Sequence, residues 1–343
     1  MYECVDEQVV ADVISDWTGI PVGQMRRNDL ERVLSLPTEL GKRVLGQNPA
    51  IQTIAQTLRN AQAKLNDPSR PLAVFMLVGP SGVGKTETAL ALAEQLYGGE
   101  QQLTVLNMSE FKESHKVSLL MGSPPGYKDS DKGGLLTEAV RRKPHSVVLL
   151  DELEKANPAV HDVFYQVFDK GLLRDSQGRD VDFKQTVLLM TCNTASEEIE
   201  ALCADPETAP EAEALLEAIQ PALRKHFSPA FLGRVTVVPY YPLGVDTLAD
   251  IAHQQLAKVS QRVKHQYQVP IHFDDKVVQA IVSQCQQSDT GARMVAARLN
   301  KHLLPHLSEA LLSALANQEA FECVRVTLDK HNQWQIDLTQ PAG

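Results

Sequence analysis

Apolar residues along this chain fall into two alternating kinds of run. Short unbroken runs such as Val74-Phe75-Met76-Leu77-Val78, Val147-Val148-Leu149-Leu150 and Val187-Leu188-Leu189-Met190 read as strands covered on both faces. The pattern predicts strands at 73–78, 103–107, 146–150, 186–191 and 235–239. Between them, apolar positions recur at helical spacing. The clearest case is 85–97, where Ala89, Leu92, Ala93 and Leu96 form one face and Gly98-Gly99 ends the helix. A helical pattern also covers 36–66, broken at Leu45-Gly46-Gln47-Asn48-Pro49, and Asp67-Pro68-Ser69-Arg70-Pro71 turns into the first strand. Repeated strand–helix units predict an α/β fold with a parallel five-stranded sheet and helices on both faces.

The pattern changes after Pro242. Helices are expected at 245–266, 274–287 and 291–317, then two short strands near 321–327 and 333–338. This predicts three parts: an N-terminal linker segment at 1–35, a large domain at 36–242, and a smaller, mostly helical C-terminal domain with a short β-hairpin at 243–343. The linker is mixed in character and turns at Trp17-Thr18-Gly19-Ile20-Pro21; its Met start inside such a pattern suggests a segment of something longer. Residues 203–216, rich in Glu, Ala and Pro, read as an acidic exposed insertion. No repeat of roughly 20–50 residues is present.

Composition narrows the function classes. The net charge of −10 argues against a general nucleic-acid binder while leaving room for a local basic groove. No apolar stretch approaches the roughly 20 residues of a membrane span, and the first residues are no signal peptide. The five cysteines, Cys4, Cys192, Cys203, Cys285 and Cys323, are scattered and never form a C-x-x-C pair. They read as reduced thiols of a cytoplasmic protein rather than a zinc site.

Chemistry enters at residues 79–86, Gly79-Pro80-Ser81-Gly82-Val83-Gly84-Lys85-Thr86, a complete phosphate-binding loop between the first strand and its helix. Glycines let main-chain N–H groups curl around an anion, and the helix behind adds the positive end of its dipole. Lys85 is expected on the β- and γ-phosphates and the Thr86 hydroxyl on magnesium. Asp151 and Glu152 end the strand 146–150: Asp151 to hold magnesium through water, Glu152 to polarise the attacking water. Together these predict a protein that binds and hydrolyses a nucleoside triphosphate.

Four further positions carry two readings each. Asn193, after the strand 186–191, either hydrogen-bonds water and γ-phosphate or simply suits a turn. Arg234, in Pro229-Ala230-Phe231-Leu232-Gly233-Arg234, either stabilises a transferring phosphoryl group from a neighbouring subunit or caps a helix. Arg293, in Gly291-Ala292-Arg293, either reaches the γ-phosphate or lies on a helix surface. Tyr127, in a polar, glycine-flanked loop, is either a gripping aromatic or a partly packed surface residue.

Taken in order, these features resemble the second ATPase module of the Clp/Hsp100 AAA+ unfoldases. The likeness runs from Trp17-Thr18-Gly19-Ile20-Pro21 through Arg43-Val44-Leu45-Gly46-Gln47, both nucleotide motifs and Gly178-Arg179-Asp180-Val181-Asp182-Phe183 to Gly291-Ala292-Arg293. Phe164–Gly171, Cys203–Thr208 and Phe231–Leu243 are similar to the ClpV (TssH) branch, which serves bacterial type VI secretion. The resemblance implies an AAA+ P-loop NTPase fold and ATP with Mg2+ as cofactors. It implies Asn193 as sensor 1, Arg234 as a finger acting in trans, Arg293 as sensor 2, and backbone near Val44 and Leu45 as the adenine seat. Tyr127 becomes a pore tyrosine that pulls polypeptide, here type VI sheath subunits, through a homo-hexamer. Proteolytic relatives carry an Ile-Gly-Phe or Ile-Gly-Leu docking loop; none occurs between 194 and 230, so no peptidase partner is expected. Three positions depart from the family pattern: Lys128, Asp129 and Ser130 fill the pore segment with polar groups, Cys192 replaces a serine, and Asn157 replaces a histidine.

Overall fold

The computed structural model describes residues 29–122, 133–205, 207–285, 291–329 and 333–339, with Val13 and Trp17. Tyr127 and most of the linker segment lie outside the described residues. Contacts divide the chain into two units: one takes the residues up to Gly79 and Gly84–Tyr241, the other Pro80–Val83 and the chain from Pro242.

The first unit is built on a five-stranded sheet of β1 (Ala73–Val78), β2 (Leu103–Asn107), β3 (Val147–Asp151), β6 (Val187–Cys192) and β7 (Thr236–Pro239), in the order β2-β3-β6-β1-β7. Every pairing is parallel, as the alternating pattern predicts. The three inner strands are the three unbroken apolar runs. The edge strand β2 leaves Val105 and Asn107 exposed and its other three residues half-buried. The core continues into Phe164 and Phe168 of the helix Ala159–Lys170 and into Phe227 and Phe231. These four rings and His161 form one aromatic cluster, which seats the short helix Pro229–Leu232.

Two local differences from expectation have clear causes. Between β3 and β6 a small antiparallel hairpin forms from β4 (Leu172–Arg174) and β5 (Asp180–Asp182), strands too short to reveal a period. The expected acidic insertion stops early, because Ala212–Arg224 is a helix. Its Leu215, Ile219 and Leu223 recur every fourth residue and are buried beneath an acidic outer face.

In the second unit the helix Val245–Tyr267 buries Leu248, Ala252, Leu256, Val259 and Val263 along one stripe. A three-stranded sheet joins β8 (Ile271–Phe273), β9 (Cys323–Leu328) and β10 (Trp334–Thr339). The predicted hairpin is β9–β10, and β8 adds a parallel third strand. The helix expected over 291–317 is Ala292–Arg298, a π-helical turn at Leu299–Leu303, and Leu304–Ala316. Pro305 explains the interruption: it has no N–H to give, and its ring crowds the carbonyl one turn back, which a widened turn relieves.

Gly79 packs closely against the end of β7. A Cβ there would lie 2.6 Å from the main-chain oxygen of Tyr240. Tyr240 cannot retreat, since its N–H donates to the Val78 oxygen (2.7 Å) and its buried hydroxyl meets Thr88 Oγ1 (2.7 Å). Gly79→Ala is therefore expected to lower stability by about 1–3 kcal/mol, read as a lower urea midpoint.

Candidate functional site

Strand register brings the candidate residues together. Val78 of β1 lies beside Cys192 of β6, and Leu150 of β3 beside Met190. The loops that follow therefore leave the sheet at one edge. The Gly79 N–H donates to the Cys192 oxygen (3.1 Å), tying the start of the phosphate loop to β6. The loop then turns through left-handed conformations that a side chain rarely adopts, at Gly82 (φ 77°) and Gly84 (φ 106°). Gly84 ends it as the cap of the helix Lys85–Tyr97. Lys85, only 7% exposed, donates to the Gly79 oxygen and to Asn193 Oδ1 (2.8 Å). One ammonium group thus joins the phosphate loop to the residue after β6.

The end of β3 is held as firmly. Thr191 Oγ1 donates to Asp151 Oδ1 (2.5 Å) and accepts the Glu152 N–H (2.8 Å). Glu152 itself has φ 59° and ψ 50°, a left-handed backbone unusual for a residue other than glycine, asparagine or aspartate. Such strain persists where surrounding bonds over-determine it, and it concentrates at functional sites. Lys155 Nζ donates to Glu152 Oε1 (2.7 Å), and that hydrogen bond holds the Lys155 ammonium above the ordinary lysine value. Glu154 Oε1 accepts from the main-chain N–H and from Nδ2 of Asn193, each at 3.2 Å. Between them, burial and the charge of Glu154 push the Cys192 thiol up to about 12, so that sulfur stays protonated.

Val44 is buried and Leu45 partly so. A Cβ on Gly84 would lie 3.4 Å from Val44 Cγ1, so the expected adenine seat adjoins the phosphate loop. Arg43 anchors this corner, donating to Glu87 (2.8 and 2.6 Å), Glu100 (2.8 Å) and Glu94. Gln47, fully buried, exchanges hydrogen bonds with the Tyr241 main chain (2.8 and 3.0 Å). The residues present fit ATP and Mg2+: turned glycines, a buried lysine, and hydroxyl and carboxylate oxygens at Thr86 and Asp151, the hard donors magnesium takes.

The remaining candidates make other contacts. Arg234 forms a two-pronged pair with Asp169 (2.9 and 3.0 Å), donates to the Ala230 oxygen (2.8 Å) and lies 5.2 Å from the Tyr165 ring centre. In the second unit, Arg293 Nη1 donates to Ser81 Oγ (3.2 Å), and the Ala292 N–H to the Gly82 oxygen (3.0 Å). Asn157 binds the Lys112 oxygen (3.2 Å) and the Ala159 N–H (3.1 Å), a structural task at the start of the helix Ala159–Lys170. Among the described residues no cluster of His, Cys, Asp or Glu could hold a metal by itself, and no helix is long and apolar enough to cross a membrane.

Thr191 and Glu154 escape the sequence reading. Thr191 looks like one more strand residue, and its role depends on β3 lying beside β6. Thr191→Val keeps the shape but leaves the Glu152 N–H without its acceptor. A loss of about 1–3 kcal/mol is expected, with Thr191→Ser retaining most of the stability; urea unfolding of the two variants checks it.

Residues 70–238 match the AAA domain (Cdc48 subfamily), and residues 243–323 match the C-terminal D2-small domain of ClpB protein. The chain is 51% identical over 336 residues, 98% of its length, to "AAA+ ATPase ClpV1" of Pseudomonas aeruginosa, covering 37% of that protein. It is likewise 51% identical over 320 residues to "Chaperone protein ClpB" of Yersinia enterocolitica, with 92% of this chain and 36% of that protein covered. The ClpB of Aquifex aeolicus is 42% identical over 307 residues, which is 88% of this chain and 30% of that one. The chain thus spans about a third of the length of these curated relatives. With an AAA domain followed by a D2-small domain, and relatives of both ClpV and ClpB name along nearly its whole length, the chain belongs to the Clp/Hsp100 AAA+ ATPases as a module of their second-ATPase type.

Proposed function

We propose that this module hydrolyses ATP with Mg2+ and serves as a C-terminal motor domain of a ClpV-type machine. The observation that carries the reading is the convergence of Lys85, Asn193, Asp151 and Glu152 at one sheet edge, linked through Thr191 and the Asn193 amide. Main-chain N–H groups of residues 79–86 and the Lys85 ammonium bind the phosphates, and Val44 and Leu45 line the adenine. Thr86 and Asp151 would hold magnesium, which would supply charge neutralisation at the phosphates. Glu152 takes a proton from the attacking water as its oxygen bonds the γ-phosphorus and the bridging P–O bond to ADP breaks. Asn193 orients the water, and Arg293, bonded to Ser81, acts as the second sensor.

Arg234 suits a finger supplied to a neighbouring subunit, because its partners in its own chain, Asp169, Ala230 and Tyr165, lie outside the phosphate loop. This reading includes a homo-hexamer in the full-length protein, in the cytoplasm, with Tyr127 as the grip on a polypeptide substrate such as type VI sheath subunits. It includes no peptidase and no nucleic acid. A ClpB-like disaggregase is the second reading, favoured by equal identity to a ClpB and by the D2-small match. A first ATPase domain with a long coiled-coil insertion elsewhere in the full-length protein would favour the second reading.

Glu152→Gln removes the base but keeps Lys85 and the loop, so ATP binding should persist while turnover falls by roughly 10²-fold or more. Titration with ATP beside a phosphate-release assay reads both; wild-type turnover in this variant would remove Glu152 from the role of base. Mixing Arg234→Ala with Lys85→Ala protein should restore part of the lost activity at shared interfaces. Absence of recovery where the two co-assemble counts against a finger in trans.

A further inference from the structure

Glu154 is a half-buried carboxylate that the proposed hydrolysis does not use. It lies in the single turn Leu153–Lys155, two residues after Glu152. Its Oε1 takes both the main-chain N–H and the Nδ2 of Asn193, while its Oε2 is buried with no hydrogen-bond partner. A buried acceptor left half-satisfied costs free energy, so the contact its other oxygen makes is the one to explain.

An asparagine amide is nearly symmetric in shape, and a half-turn about its last bond exchanges donor for acceptor. An ionised carboxylate only accepts. Glu154 therefore fixes Nδ2 toward itself and turns Oδ1 toward Lys85, which donates to it at 2.8 Å. Grasping the main-chain N–H as well removes the remaining swivel of the residue. The amide nitrogen carries two hydrogens, so one stays available when Glu154 holds the other.

We infer that Glu154 is a positioning residue: it sets the polarity and direction of the Asn193 amide, so that Asn193 discriminates a triphosphate from a diphosphate. This deepens, and rests on, the ATP-hydrolysing reading above. Glu154 itself touches no nucleotide; it acts through Asn193.

A double-mutant cycle tests this on the full chain, with Glu154→Ala, Glu154→Gln, Asn193→Ala and the double alanine variant. The readouts are kcat and KM for Mg-ATP, and the affinities for ADP and for adenosine 5′-(γ-thio)triphosphate. Glu154→Ala should lower kcat and the triphosphate-over-diphosphate preference by roughly tenfold, with ADP affinity unchanged. Glu154→Gln, which keeps an acceptor, should recover most of both. In the Asn193→Ala background, Glu154→Ala should add nothing further. If the alanine variant does not fold, Glu154→Met fills the volume without an acceptor and takes its place. Unchanged kcat and preference in Glu154→Ala, whatever its stability, would overturn the inference, and so would losses that multiply in the double variant. Wild-type protein that binds neither nucleotide would instead overturn the hydrolase reading, and this inference with it.

Discussion

The side-by-side register of β1, β6 and β3 is the constraint on which the rest of the site depends. Parallel strands alternate their side chains face by face, and one residue advances the chain by about 3.3 Å. The contacts that assemble the site are 2.5–3.2 Å long, from Thr191 to Asp151 and Glu152 and from Asn193 to Lys85 and Glu154. A slip of β6 by one residue would turn Thr191 to the opposite face and carry Asn193 away from the lysine. The apolar runs that cover both faces of the sheet thus also fix where its polar ends fall.

Charges at that edge are paired: Lys155 binds Glu152 directly, and Lys85 is linked to Glu154 through Asn193. Asn193 is the neutral member through which the Glu154 carboxylate and the Lys85 ammonium communicate. Uncharged itself, it carries a dipole that both neighbours orient the same way, at little desolvation cost compared with another ion.

Legibility in the sequence followed the length of the signal. β1, β3 and β6 stand out because four to six apolar residues in a row demand burial, and residues 79–86 because a phosphate loop needs glycines at fixed spacing. β4, β5 and β8 are three residues each, too short for a period. The helix Ala212–Arg224 was hidden by Glu211, Glu213 and Glu217, which colour its composition without disturbing its apolar stripe. Thr191 and Glu154 were hidden for another reason. Each gains its role from a partner about 40 residues away in sequence, and nothing in its own neighbourhood announces that partner.

The left-handed backbone of Glu152 sets two kinds of selection against each other. Its main-chain geometry favours glycine or asparagine, for which this conformation is inexpensive. The role of base proposed for it favours the longer acid. Replacement by glycine or asparagine would relax the chain while removing that proposed proton acceptor, so drift at this one position would run downhill toward a protein that is more robust and inert. On that proposal, a lineage released from the need to turn over nucleotide would be expected to lose this glutamate early.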